Sequence, residues 1–223
     1  MKKGMLTTLL FLCLCFGASA NPNDSIATVY KNGEFYTVYR LYVNASDSVS
    51  SRVLSNFDQQ MCYNLDGLFP WALKKMNLRK EKTEMMMFYF KTTAFNKQTS
   101  ILRATGDVII PGITTIDNIV VDSKLSSKKL KNGTSAVYLD LISANGFIKK
   151  MNSSFSTIPR KDNGYWYVLE SRVKFGWFFD IFITQNRFKS IMEWRLKQFV
   201  RNLRDEAERR ERLLTQEVKN TSK

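Results

Sequence analysis

The sequence contains no histidine, which removes the most common general base, nucleophile activator and metal ligand. Cysteine is also scarce: Cys13 and Cys15 lie in the N-terminal leader described below, so Cys62 is alone in the rest of the chain. A single cysteine forms no intrachain disulfide, and thiolate metal sites need several. Glycine-rich phosphate-binding loops are absent too. We therefore expect no cofactor, no metal and no catalytic residue, and we expect Cys62 to be a buried, unreactive thiol.

Only one long hydrophobic run is present, and it lies at the N-terminus. Two lysines precede an apolar stretch over residues 6–17, which is followed by Ala-Ser-Ala at 18–20. This order is typical of a secretory signal peptide. An uncleaved membrane anchor is the alternative, but the stretch is shorter than the about 20 residues that span a bilayer. We expect cleavage near Ala20 and an exported protein, periplasmic or secreted.

Basic residues outnumber acidic ones, and the formal net charge is +14. A strongly basic protein associates with anionic surfaces such as lipid headgroups. An anionic membrane surface is therefore one candidate partner, and a merely solvated surface is the alternative. We expect no nucleic acid partner for an exported chain, and we expect a monomer.

The longest helical pattern closes the chain, from Thr184 to about Arg212. Apolar residues recur there at steps of three and four, and charged residues, mostly basic, fill the other positions. The pattern predicts an amphipathic helix whose apolar stripe covers the rest of the domain. Beyond Arg204 only Ala207 continues the stripe, so residues 205–223 are predicted to be a charged helical extension and tail.

Strand patterns dominate the region before this helix. Residues 21–30 are expected to be a flexible segment, and a single domain is expected over 31–204. A strand over 35–43 is followed by two short helical patterns, the second with a proline that breaks or kinks it. Asn-Gly pairs then favour antiparallel hairpins. The further predicted strands are residues 85–91, 100–110, 113–121, 134–143, 147–158 and 164–175.

Two stretches carry a resemblance to a known family. The opening strand and its turn, Tyr36–Ser46, and the ending, Gly176–Asp180 followed by Phe188–Leu203, resemble the START and polyketide-cyclase-like (SRPBCC) superfamily. The resemblance implies the α+β helix-grip fold: a curved antiparallel sheet of about seven strands, two short helices after strand one, and a long C-terminal helix packed across the sheet. It also implies a cavity between sheet and helix that holds lipids, sterols, polyketides or other apolar ligands.

Strand alternation and the helical stripe select the side chains expected to face such a cavity. Flexible thioethers suit adaptable apolar pockets, although ordinary core packing uses the same residue types. An apolar small molecule or lipid is the expected partner, bound mainly by burial of apolar area. The predicted ligand-binding residues are Tyr39, Leu41, Met85, Met87, Leu139, Tyr167, Leu169, Met192 and Phe199.

Three functions remain open from the sequence. The first is an exported, non-enzymatic binding protein for an apolar molecule. The second is a module with a filled core that docks on a membrane or envelope partner through the basic helix face. The third is a cyclase or hydrolase, which requires Asp140 or Glu170 to face an internal cavity, where apolar surroundings raise the pKa of a carboxyl group.

Overall fold

The computed structural model describes residues 23–50, 87–110, 112–130, 132–161, 164–181, 184–189 and 193–221. These ranges form one antiparallel sheet and the helices that follow it. The strands are β1 (Asp24–Lys31), β2 (Glu34–Val43), β3 (Met87–Asn96), β4 (Ile101–Ile110), β5 (Thr114–Lys129), β6 (Ser135–Ser143), β7 (Ile148–Pro159) and β8 (Tyr165–Phe175). The helices are α1 (Trp177–Asp180), α2 (Gln185–Phe188) and α3 (Trp194–Thr221).

The strand order places early and late segments of the chain side by side. The order is β1-β2-β8-β7-β6-β5-β4-β3, and every neighbouring pair is antiparallel. The sheet is curved and not closed, and α3 packs on it, chiefly over β2 and β8. This confirms the predicted α+β arrangement of a curved antiparallel sheet under a long C-terminal helix.

The prediction of a flexible segment over residues 21–30 is wrong, because β1 occupies most of it. Asn32 and Gly33 both have positive φ, 56° and 73°, and connect β1 to β2 as a tight hairpin. This Asn-Gly pair is a hairpin signal of the same kind as those recognised further along the chain. With β1 the described sheet has eight strands rather than seven, and the domain begins before residue 31.

The domain extends further into the C-terminal helix than predicted. Within the region expected to be one helix from Thr184 the structure describes α2 and α3, residues 190–192 lie outside the described residues, and α3 continues to Thr221. Residues just beyond 204 are part of the packed domain, since Ala207 is fully buried and the backbone amides of Asn44 and Ser46 donate to the carboxylates of Glu208 and Glu211. Among the described residues, no helix combines the length and the apolar character needed to cross a membrane.

Several expectations lie outside the described residues. These are the leader, Cys62, and most of the region predicted to form two short helices after the first predicted strand. Of that region the structure describes a helical turn over residues 47–50.

The buried side chains form two clusters on the concave face of the sheet, which we call the inner face. Strand alternation selects them: the odd-numbered residues of β2 and β8 point inward. The inner cluster, under α3, contains Tyr39, Leu41, Val43, Ala45, Val49, Phe95, Leu102, Leu125, Val137, Phe155, Tyr165, Tyr167, Leu169, Phe199, Val200, Leu203 and Ala207. The tip cluster, at the other end of the strands, contains Phe35, Val108, Ile110, Ile119, Phe147, Val173, Phe175 and Phe188.

Glu34 is a buried carboxylate at the start of β2. The Tyr36 hydroxyl and the Lys150 ammonium donate to it at 2.9 and 3.2 Å, and the Arg172 guanidinium donates as well. Hydrogen bonding from Arg172, followed by that from Tyr36 and Lys150, outweighs burial and lowers the pKa of Glu34 from 4.5 to about 2. Glu34 therefore stabilises the fold above pH 4.5, and this contribution is lost as the pH falls toward about 2.

We expect Glu34→Gln to cost about 2 kcal/mol at neutral pH, because three donors lose their charged acceptor. Urea unfolding at a series of pH values measures this, and the variant should show a smaller loss of stability on acidification than the wild type. Glu170→Gln is the matched control, since Glu170 is exposed. Equal pH profiles for the wild type and Glu34→Gln would contradict the expectation.

Candidate functional site

The structure brings six of the nine predicted ligand-binding residues together in one place. Tyr39, Leu41, Tyr167, Leu169 and Phe199 belong to the inner cluster, and the partly buried Leu139 packs against it. Met85 and Met192 lie outside the described residues. Met87 is the first residue of β3, and its side chain is not among those that the structure describes.

Register explains why residues so far apart in sequence meet here. Tyr39 pairs with Leu169, and Leu41 pairs with Tyr167, across the β2–β8 ladder. Leu169 pairs in turn with Phe155 of β7. The Phe155 ring lies edge-on to the rings of Tyr167 and Phe199, with centroids 5.4 and 6.4 Å away, and so connects the sheet to α3.

Phe155 is a site residue that the sequence analysis missed. It lies in a serine-rich strand, between Ser153 and Thr157 on the same face, so its segment shows no strong apolar alternation. A single aromatic residue in a polar strand was the only available signal. Phe95, Leu125 and Val137 also belong to the inner cluster and were not among the predicted ligand-binding residues.

Three hydroxyl groups are buried in or beside the inner cluster. The side-chain oxygens of Tyr39, Tyr167 and Ser50 form no hydrogen bond of normal geometry with any described residue. Burial raises the pKa of Tyr167; the nearby Ser50 hydroxyl opposes this shift and the Glu208 carboxylate adds to it. Burial, with a contribution from Asp24, likewise raises the pKa of Tyr39. Both tyrosines are therefore neutral hydrogen-bond donors at any physiological pH.

A row of small hydroxyl residues crosses the inner face beside these tyrosines. Thr28, Thr37, Ser171 and Ser153 occupy matching register positions on β1, β2, β8 and β7. Their oxygens bond in pairs, each pair 2.9 Å apart. On β2, β8 and β7, the hydroxyl residue has an inner-cluster residue two positions away on one side. Two positions away on the other side is a residue that belongs to the tip cluster or packs against it. It is a narrow polar band of small side chains between two apolar regions.

An ion pair joins α3 to the edge strand β1 near Tyr39. Arg201 donates to the Asp24 carboxylate, with Nε 3.2 Å from Oδ2. Burial by itself would raise the pKa of Asp24, but the hydrogen bond from Arg201, the nearby Tyr39 hydroxyl and the charges of Arg201 and Lys197 together lower it. The sequence analysis missed this pair, because it assigned Asp24 to the flexible segment.

The acids required by the enzyme hypothesis do not face the inner cluster. Glu170 is exposed, and it alternates with the inward-facing Leu169 and Ser171. Asp140 follows Leu139 onto the outer face, where Asn152 donates to it. Neither carboxylate reaches the apolar interior, so the cyclase or hydrolase hypothesis lacks the geometry it required.

The basic face of α3 is partly neutralised by ion pairs. Arg204 pairs with Asp205, and Arg209 and Arg210 both pair with Glu206. Arg201 is held by Asp24. Four arginines of this face thus have acidic partners, which reduces the charge available for docking. Among the residues that the structure describes, no group of three or more acidic or cysteine side chains is arranged to hold a metal ion.

The fold defined by these elements is the helix-grip fold of the START and polyketide-cyclase-like kind. A solved structure of this fold is the Zhui aromatase/cyclase from Streptomyces sp. R1128. The match has a TM-score of 0.50 and 12% identity, and it covers 79% of this chain and 95% of that one. This match confirms the predicted fold.

Two further solved structures are similar. A START superfamily protein from Mycobacterium smegmatis has a TM-score of 0.49 and 15% identity, with 78% of this chain and 97% of that chain covered. A STAR-related lipid transfer protein from Xanthomonas axonopodis has a TM-score of 0.44 and 10% identity, with 86% of this chain and 97% of that chain covered. No family model and no curated protein sequence matches the chain. At 12% identity the likeness to the aromatase/cyclase establishes the fold alone.

Proposed function

We propose that this protein binds a neutral, lipid-like small molecule between the inner face of the sheet and α3. One observation carries the proposal: the hydroxyls of Tyr39, Tyr167 and Ser50 are buried without a normal hydrogen bond among the described residues. Buried hydroxyls in proteins are almost always hydrogen-bonded. An oxygen atom of a bound ligand would supply the partner that these donors lack.

The surroundings of the hydroxyls suit the apolar part of such a ligand. Aromatic and aliphatic side chains of the inner cluster surround them, and apolar contact contributes about 25 cal/mol per Å² of buried area. The row of hydroxyl residues beside them, Thr28, Thr37, Ser171 and Ser153, consists of small side chains, which take up less space than the aromatic rings on either side. The side chains of the inner face are therefore smaller along this row than in the clusters on either side of it.

The charges near the hydroxyls favour a ligand without a net charge. Glu208 lies close enough to Tyr167 to raise its pKa, so a carboxylate or phosphate placed there would meet a like charge. Arg201 is near Tyr39, but Asp24 already pairs with it. An alcohol, ester or ketone oxygen accepts a hydrogen bond from tyrosine without these costs.

Native mass spectrometry of the purified protein tests the proposal directly, through the mass of any co-purifying molecule. The same spectra test our further proposal that residues 1–20 are a leader removed on export, since the chain isolated from its own cells would then begin at Asn21. Titration with dehydroergosterol, which carries one hydroxyl, and with the hydrocarbon diphenylhexatriene measures binding by fluorescence. The proposal fails if no molecule co-purifies and neither probe binds.

Tyr167→Phe separates a ligand-binding hydroxyl from a structural one. Without ligand, the variant should be more stable by about 1 kcal/mol, because a buried polar group without a partner is removed. Its affinity for dehydroergosterol should fall about fivefold, since the ligand loses a neutral hydrogen bond worth roughly 1 kcal/mol. Affinity for diphenylhexatriene should not change.

Tyr165→Phe is the matched control, two residues earlier on the same face. The Tyr165 hydroxyl donates to Asp47 at 2.5 Å, and burial together with this bond raises the pKa of Tyr165 to about 12. Its removal should destabilise the protein and leave the affinity for both probes unaltered. Destabilisation by Tyr167→Phe would show that the protein itself already satisfies the Tyr167 hydroxyl, and would remove the observation on which the proposal depends.

A further inference from the structure

Antiparallel pairing gathers several connections at one end of the sheet. The turn after β1, the turn after β4, the turn after β6 and the segment after β8 all lie there, because β4, β6 and β8 run in the same direction. The amide of Gly176 donates to the carbonyl of Phe147 at 3.1 Å, which joins two of these connections. We call this end of the molecule the tip.

Large apolar side chains are exposed at the tip. Trp177 is 80% exposed, Ile181 is 64% exposed and Ile113 is 59% exposed. Trp177 and Ile181 are four residues apart across the short helix α1, so both belong to one connection. Exposed apolar residues scattered singly need no explanation, but an 80% exposed tryptophan followed four residues later by a second exposed apolar side chain indicates an interaction surface.

The segment that carries these residues is firmly attached to the domain. Phe178 packs against the tip cluster, and its ring lies edge-on to that of Trp177, with centroids 6.0 Å apart. Phe188 of α2 stacks on Phe35 with ring centroids 3.9 Å apart. The connection thus buries Phe188 and partly buries Phe178, while Trp177 and Ile181 remain exposed to solvent. Trp177 and Ile181 are therefore exposed although the segment that carries them is packed against the domain.

Exposed lysines lie at the same end of the molecule as the exposed apolar residues. Lys31 ends β1, Lys149 lies at the start of β7 and Lys189 follows α2; all three are exposed, and Lys174 approaches the turn at Gly33. The acids at this end are fewer: Glu34 is already bound to Arg172 and Lys150, and α1 ends with Asp180. The tip therefore combines an apolar centre with a cationic rim.

We propose that the tip docks on an anionic lipid bilayer, with Trp177 and Ile181 at the level of the headgroups and the lysines against lipid phosphates. Both the apolar residues and the lysines of the tip are complementary to such a bilayer. Tryptophan prefers the membrane interface, since its ring is apolar and its N–H remains hydrated. Basic residues beside an inserted apolar group are attracted by the negative surface of the membrane. The tip shares no residue with the ligand site proposed above, so the two proposals stand or fall separately.

Co-sedimentation of the full chain with vesicles tests this docking. Vesicles of phosphatidylcholine that contain phosphatidylglycerol should pellet the protein at low salt, and high salt or pure phosphatidylcholine should weaken the binding. Trp177→Ala combined with Ile181→Ser should weaken it about tenfold or more. Leu130→Ala combined with Leu213→Ser is the matched control, because it removes two exposed apolar side chains away from the tip and should have little effect.

A second pair of variants tests the cationic rim. Lys31→Glu combined with Lys149→Glu should weaken vesicle binding about tenfold or more. Lys128→Glu combined with Lys129→Glu makes the same charge change at the end of β5, away from the tip, and should have a much smaller effect. The proposal is overturned if the wild type does not pellet at low salt. It is equally overturned if each tip variant weakens binding no more than its control does.

Discussion

Gly164→Ala is expected to destabilise the fold by about 3 kcal/mol, the combined cost of a strained backbone and a clash with a neighbouring strand. Gly164 has φ of 80°, a conformation that L-residues with a side chain rarely adopt. A Cβ atom at this position would lie 2.7 Å from the carbonyl oxygen of Val43 and 2.8 Å from the ring of Tyr42. The backbone of β2, which is hydrogen-bonded to β8, cannot yield easily, so the segment before β8 must move.

Gly146→Ala isolates the strain from the clash. Gly146 has φ of 76°, close to that of Gly164, but nothing lies within 4 Å of the position of its Cβ. We expect it to cost about 1 kcal/mol, the strain of the left-handed conformation alone. Urea unfolding of the two variants measures the difference, and equal losses would show that the approach of Gly164 to β2 is unimportant for stability.

Leu203→Ala is expected to cost about 3 kcal/mol by opening a cavity between α3 and the sheet. Leu203 is 1% exposed and belongs to the inner cluster, so its truncation removes apolar contacts that water cannot replace. Leu213→Ala provides the control on the same helix. Leu213 is 45% exposed, and its truncation should change the free energy of unfolding by less than about 0.5 kcal/mol.

The cavity in Leu203→Ala also bears on ligand binding. If the space between α3 and the sheet is a binding site, the enlarged space should still accept dehydroergosterol, and saturating probe should raise the midpoint of thermal unfolding in the variant as in the wild type. Thermal unfolding with and without probe gives this comparison. A stability loss of the same size in Leu203→Ala and Leu213→Ala would contradict the packing of α3 described here.

Hydrophobic periodicity was sufficient to predict the main elements of the fold. The alternation in Tyr36–Val43 and Tyr165–Phe175 correctly assigned Tyr39, Leu41, Tyr167 and Leu169 to one face. The stripe through Phe199 and Leu203 correctly predicted a helix packed on that face. These assignments succeeded because side-chain direction follows from the local period of a strand or helix.

The same local reasoning failed where partners are distant or signals are weak. β5 runs to Lys129, eight residues beyond its predicted end, because pairing with β6 keeps a polar segment extended. β1 was missed because its hairpin turn was not recognised. The pairing of Arg201 with Asp24 of the edge strand was missed because the two residues are far apart in sequence.

By itself the sequence determined most of the strands, the C-terminal helix and the inward-facing side chains of β2 and β8, since those properties depend on neighbours a few positions away. Only the tertiary structure decided which polar groups find partners. Glu34 meets Arg172, which is 138 positions away, whereas the equally buried hydroxyls of Tyr39 and Tyr167 meet no normal acceptor in the described chain. The tip, likewise, exists only because antiparallel pairing brings Ile113 and Trp177 to the same end of the sheet. Hydrogen-bond satisfaction and surface clustering depend on contacts between distant segments, and no local pattern encodes those contacts.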